Sequence, residues 1–372
     1  MILKSKIFSE KKIFFITIIY FLILVLVINI NQFSIAAYVL NKGPDDDLTF
    51  FNKSQNASIY AIKISKYIIN SLIIKIGIFF QSWLQTNSMH IYGYIKGLIQ
   101  YLSILYFSRA LIRIYGEKIA LFSLIIILFD PYLFSLKITL LRDDLIVSFA
   151  LVMVGSTLNI ITTKGLNFLS LKSIPFYLGS LGLLGTKPAL APLIISSMIL
   201  YSQFNIRNLN LLKNFTIKRI WLLAPLLIGI LFLNLGTYFY QISDYLTPSL
   251  KNIFITFKNH FISPLPGNEL IRNGLLITDA SVVYWWYEIR FFIIIFVVFI
   301  MISLLYLNPK LLFKSLNIFG ITSLFISFAY SQVQDLEILW GLTAGPRQGY
   351  LSYLLLVPGS LYLISLVLKR KL

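Results

Sequence analysis

The stretch Lys11–Ile30, KKIFFITIIYFLILVLVINI, decides how the chain is read. Lys4, Lys6, Lys11 and Lys12 precede an uncharged, strongly apolar run from Ile13 to Ile30. Apolar runs of about 20 residues are long enough to cross a hydrocarbon core of roughly 30 Å. The basic start and apolar middle lack a small-residue cleavage site, so the segment reads as an uncleaved first helix. Positive charge stays on the cytoplasmic side, which sets the N-terminus inside and the residues after Ile30 outside.

The rest of the sequence repeats this signal. Of 372 residues, 58% are hydrophobic and 12% charged, about half the charge of an ordinary soluble domain. Alternating polar and apolar strands are absent, so the spans are helices and not the strands of a barrel. The net charge of +18 comes from Lys and Arg placed mostly between apolar runs. There they orient the protein, and nucleic acid is disfavoured as a partner. The sequence has no cysteine, which excludes disulfides and thiolate metal sites. The expected fold class is all-α: one polytopic membrane helix bundle over residues 1–372, with about ten transmembrane helices and one interfacial helix outside.

The first outer loop covers 41–90. Within it, Ala57–Leu84 carries Lys63, Lys66, Asn70 and Lys75 at steps of three to five among isoleucines and leucines. That spacing predicts a helix with one wet face, lying on the outer membrane surface with its lysines reaching to water. Ile91–Leu111 returns to Arg109, Arg113 and Lys118. Ile119–Ile161 has basic flanks on both sides, so it reads as a hairpin whose polar tip, Arg142-Asp143-Asp144, faces outside. Ile174–Phe204 is a second such pair, with Lys187 near its outer turn. Trp221–Tyr240 leads to the largest outer loop, 241–288, with His260, Arg272 and the girdle Tyr284-Trp285-Trp286-Tyr287, residue types favoured at a membrane–water interface. Further spans carry the chain past Arg290 and Arg347 to Lys369-Arg370-Lys371. Both termini are expected in the cytoplasm, and the protein in the cytoplasmic membrane.

The polar residues worth singling out all fall outside. Asn41–Phe51, NKGPDDDLTFF, holds Asp45, Asp46 and Asp47, three of only 14 acidic residues. Arg142, Lys187 and Arg347 each border an apolar helix. Asp143, Asp144, His260, Arg272 and Arg290 complete the set. Ionisable groups near membrane depth are expensive, so their default reading is functional. Carboxylates with isolated cations suit glycosyl transfer from a lipid-linked phosphate sugar. A carboxylate takes the proton of the acceptor hydroxyl, and Arg or Lys neutralises the departing phosphate. No P-loop or dinucleotide-binding glycine fingerprint occurs, which disfavours a nucleotide-dependent enzyme. The Asp45–Asp47 run could hold a divalent cation through oxygen ligands; no other cofactor is indicated. The structural reading of the same residues is a solvated acidic turn and helix-end anchors.

The first helix, the acidic outer loop, the interfacial helix and the broken pair LFDPYLFSLKITLLRDDLIVSFALVMVG together resemble the C-type membrane glycosyltransferase superfamily. SPLPGNEL, YWWYEIR and AGPRQGYLSYLLLVPG resemble members of that superfamily from bacterial surface-polysaccharide clusters. The resemblance implies that an acidic residue of the first outer loop is the catalytic base, at Asp45, Asp46 or Asp47. It also implies a cation at the donor phosphate, at Arg142, Lys187 or Arg347. The chain departs from the better-known members in having no soluble C-terminal domain, which favours a glycan or lipid-linked acceptor over a protein. The expected activity is therefore transfer of a hexose or pentose from a polyprenyl-phosphate sugar, in surface glycan assembly. Two alternatives stay open. An O-antigen-type polysaccharide polymerase needs the same cations but a larger outer loop with paired arginines. A lipid-linked glycan flippase or other transporter needs polar groups through the depth of the bilayer.

Overall fold

The computed structural model describes residues 2–30, 51–52, 68–128, 143–162, 173–186, 194–195, 198, 357–366 and 368, and all regular structure among them is helical. The chain divides into two compact units, Met1–Ala191 with Ile220–Leu235, and Pro192–Arg219 with Gly236–Leu372. The first unit carries α1 (Ile2–Ile30), α2 (Ile68–Leu84), α3 (Ser88–Tyr115), α4 (Glu117–Leu128), α5 (Asp143–Thr162) and α6 (Ile174–Thr186). In the second, α7 (Val357–Leu366) buries Val357 and Leu363. Among the described residues one helix, Glu10–Asn29 within α1, is long and apolar enough to cross a membrane. The bent pair α2–α3 is a second if it counts as one broken span. Parts of the other expected spans are described as the shorter helices α4 to α7; the spans expected between 221 and 330, the loop 241–288 and the C-terminal lysines fall outside the described residues.

Each helix shows why its sequence suits its place. On α1, Ile13, Thr17, Tyr20, Leu24 and Ile28 recur at steps of three and four and are buried, the spacing of one helical stripe. Thr17 satisfies its hydroxyl on the Ile13 carbonyl at 2.8 Å, so the stripe carries no loose donor. The outward side holds Phe14, Phe15, Leu22 and Leu26, as apolar as the inward side. A helix with apolar residues all round is made for a core or a membrane.

Contacts fix the helix directions. Tyr94 Oη donates to Asn29 Oδ1, the Phe21 and Tyr101 rings lie 5.6 Å apart, and Lys12 Nζ lies 4.0 Å from Glu117. As α1 is climbed α3 is descended, so the two are antiparallel. α3 and α5 run parallel: Lys96 meets Asp144, Phe107 meets Gly155, and Arg113 donates to Asn159 at 2.8 Å. α6 runs against α5, because Gly179 faces Met153 while Gly182 faces Phe149.

Small residues allow the closest of these approaches, as in membrane helix pairs. A Cβ on Gly179 would sit 2.9 Å from the Phe149 carbonyl oxygen and 3.1 Å from the Met153 nitrogen. Both are backbone atoms that cannot rotate away, so the helices themselves would have to part. Gly179→Ala is expected to cost about 1–3 kcal/mol by overpacking, read as a lower Tm of the purified protein.

The α2–α3 corner departs from the expected surface helix. α2 ends at Leu84 and α3 starts at Ser88 after a bend of 118°. Gln85 takes the positive φ of 47° that turns the chain. Asn87 caps α3, its Oδ1 accepting from Met89 N at 2.9 Å. Such a cap stabilises a helix start by roughly 1 kcal/mol. His90, the last residue of the expected outer loop 41–90, belongs to the first turn of α3. The wet-face expectation is corrected at Asn70, which is fully buried, with Ser71 beside it. The outward positions are Leu72, Ile76, Phe79, Phe80, Trp83 and Leu84, with Trp83 77% exposed. The physical reason is that Asn70 finds a hydrogen-bond partner inside, on Tyr92. Lys63 and Lys66 lie outside the described residues.

Candidate functional site

Tyr92 sits one turn into α3 and is fully buried. Two other segments and a neighbour on its own helix meet it. Its hydroxyl donates to Asn70 Oδ1 of α2. Its ring stands at 67° to the Phe51 ring, with centroids 6.0 Å apart. The ammonium of Lys96, one turn further along α3, lies 5.0 Å from the ring centroid, within cation–π range. Around it Leu24, Ile28, Phe51, Ile73, Ile74 and Leu145 form an apolar cluster.

Against this apolar wall lies a buried ion pair. Lys96 Nζ is 3.0 Å from Asp144 Oδ1, and the two side chains are 0% and 1% exposed. Asp144 is in the first turn of α5, where the helix dipole favours a carboxylate. Its Oδ1 also accepts from Leu145 N at 2.9 Å. The ring face of Tyr92, the ammonium and the helix N-terminus thus each compensate a charge that burial alone would penalise. Lys96 lies eight residues from the start of α3, about 12 Å along the axis. One turn beyond it, Gln100 is 1% exposed, and neither its Nε2 nor its Oε1 has a hydrogen-bond partner.

The sequence-based candidates divide as follows. Asp144 was expected at a polar hairpin tip and instead lies inside the bundle, paired with Lys96. Asp143 opens α5. Asp45, Asp46, Asp47, Arg142, Lys187, His260, Arg272, Arg290 and Arg347 lie outside the described residues. No group of three or more metal-ligating side chains is found among the described residues. Lys96, Tyr92 and Gln100 were missed. Lys96 had a signal of its own: it is the only charged residue between Ile91 and Ser108, and an isolated cation within an apolar span marks a functional or paired group.

The Tyr92 hydroxyl supports a prediction. Tyr92→Phe would leave Asn70 Oδ1 without this donor, beside an Nδ2 that already has no partner. An orphaned buried acceptor costs about 1–3 kcal/mol, so the Tm should fall. Asn70→Leu in the same background should recover part of the loss by removing both orphaned atoms.

Comparison with protein-family models, with curated proteins and with solved structures finds no match to this chain.

Proposed function

We propose that the chain is a polytopic glycosyltransferase of the cytoplasmic membrane, of the C-type superfamily architecture. In this reading it takes a polyprenyl-phosphate-linked sugar on the extracytoplasmic face and passes it to a glycan or lipid-linked acceptor in surface glycan assembly. Both termini are cytoplasmic. The lipid bilayer, the lipid-linked donor and the acceptor are its partners.

The observation that carries the reading is the convergence on Tyr92. Phe51 packs on the Tyr92 ring and lies four residues after Asp47, and four extended residues reach at most about 14 Å. Asp144 meets Lys96 and lies two residues after Arg142, within about 7 Å of chain. Gly185 packs against Ile68 and Ile69, next to the Asn70 that bonds Tyr92, and lies two residues before Lys187. In this reading the acidic run and two candidate cations come together at one end of the bundle, each a few residues of chain from a described contact. The helix directions support the same reading. α1 runs opposite to α3 and α5, and α6 opposite to α5, as the alternation of basic clusters requires if all four cross a membrane.

The chemistry assigned to this end is direct displacement at the sugar. One of Asp45, Asp46 and Asp47 removes the proton of the acceptor hydroxyl as it attacks the anomeric carbon. The bond from that carbon to the phosphate oxygen breaks, and the polyprenyl phosphate leaves with the electron pair. Arg142, Lys187 or Arg347 balances its charge. Asp143, His260, Arg272 and Arg290 remain candidates for holding acceptor or donor.

One observation favours a transporter instead. The Lys96–Asp144 pair is buried within the bundle, and polar groups at depth are what alternating access uses. A panel of donors presented to the purified protein in lipid vesicles separates the readings. Transfer from a polyprenyl-phosphate monosaccharide supports the proposal, and joining of diphosphate-linked oligosaccharides supports a polymerase. Movement of lipid-linked sugar across the bilayer without transfer supports a transporter.

A further inference from the structure

We propose that α3 and α5 enclose, one turn beyond the Lys96–Asp144 pair, a binding site for a neutral hydroxyl-bearing molecule, with the amide of Gln100 as its recognition group.

The placement follows from the helix register. Lys96 faces Asp144 and Phe107 faces Gly155, the same offset in both contacts. In a parallel pair with that offset, Gln100 is level with Ser148. Ser148 is fully buried, and its hydroxyl donates to the Asp144 carbonyl at 2.7 Å. Its oxygen still has lone pairs to accept with. Gln100 is 1% exposed, and both its amide atoms lack a hydrogen-bond partner among the described residues. Most buried side-chain polar atoms are satisfied, and a buried amide with neither donor nor acceptor engaged calls for a ligand.

The chemistry of the occupant follows from the groups around it. The amide offers two donors and one acceptor, and the serine offers an acceptor. A hydroxyl complements both, because it donates and accepts at one atom. The adjoining ammonium and carboxylate compensate each other across 3.0 Å, so the site selects for neither an anion nor a cation. Two to four polar partners of this kind are what a buried hydroxyl needs. Water and a sugar share that chemistry.

The absence of cysteine from the sequence makes the test direct. Gln100→Cys, Ser148→Cys and Ile104→Cys are each prepared in the full chain in lipid vesicles and exposed to the small neutral reagent hydroxyethyl methanethiosulfonate. Ile104 is one turn past Gln100 and equally buried, but apolar. The proposal expects the Gln100→Cys thiol to react at least about tenfold faster than the Ile104→Cys thiol, since reactivity follows access to a polar medium. Ser148→Cys, a conservative change, should follow Gln100→Cys and serves where that variant fails to fold. Slowing by added glucose identifies a sugar hydroxyl as the occupant, and no effect of glucose identifies water; both support the site. Equal rates for all three thiols would overturn it. So would a higher Tm for Gln100→Leu than for wild type, which is the behaviour of a dry, unpartnered amide.

Discussion

Lys96→Met is expected to be the most damaging single substitution among the described residues, at about 3–5 kcal/mol. The change removes the ammonium 3.0 Å from the Asp144 carboxylate, which is 1% exposed. The Leu145 amide and the helix dipole remain, but neither carries a full charge. The loss extends beyond the pair. Lys96 also lies over the Tyr92 ring, and Tyr92 joins α2 and Phe51 to α3. Asp144→Leu alone should be similarly harmful, because it takes away the carboxylate 3.0 Å from a buried ammonium. The double variant Lys96→Met with Asp144→Leu should be much less destabilised than the two single changes added together. Removing both partners in favour of apolar side chains is often neutral or stabilising. Thermal unfolding of the four proteins closes the double-mutant cycle. Additive losses would show that the ion pair is not what holds α3 to α5.

The second large effect concerns turnover. One of Asp45→Asn, Asp46→Asn and Asp47→Asn should reduce sugar transfer by about 100- to 10,000-fold, the usual contribution of a positioned general base. Asparagine keeps the shape and loses the proton affinity, so donor binding should persist in that variant. The other two aspartates should change transfer by far less. Binding of a non-transferable donor analogue, measured beside transfer, separates the base from a residue that merely shapes the loop. Equal and modest losses in all three would reduce the acidic run to a solvated turn.

How much of this was legible in sequence varies by element. α1 was readable outright, because an uncharged apolar run behind four lysines has one economical interpretation. The start of α5 was partly readable. Asp143-Asp144 is a helix-opening pair, but a carboxylate in sequence looks the same whether it faces water or a lysine 48 positions away. The side of α2 was misread for a related reason. Periodicity places Lys66 and Asn70 on one face, and the rule that polar faces meet water then turns that face outward. The structure inverts the rule: Asn70 turns inward to Tyr92, and Leu72, Ile76 and Phe79 turn outward. Gln100 gave no sequence signal, since a lone glutamine in an apolar helix reads as tolerated. Only its burial with both amide atoms unpartnered distinguishes it. The candidate cations were found by their place beside apolar runs. The hub that ties their neighbours together was not, because Tyr92 is one of 22 tyrosines.

The most direct test of the convergence at Tyr92 is thiol cross-linking. Asp46→Cys is paired in turn with Arg142→Cys and with Lys187→Cys in the otherwise cysteine-free chain, held in lipid vesicles and treated with short bifunctional thiosulfonates. The account predicts intramolecular cross-links in both pairs, and their reduction when polyprenyl-phosphate sugar is added. Single thiols that all react while neither pair cross-links would contradict it, because the acidic run and the cations would then belong to different places.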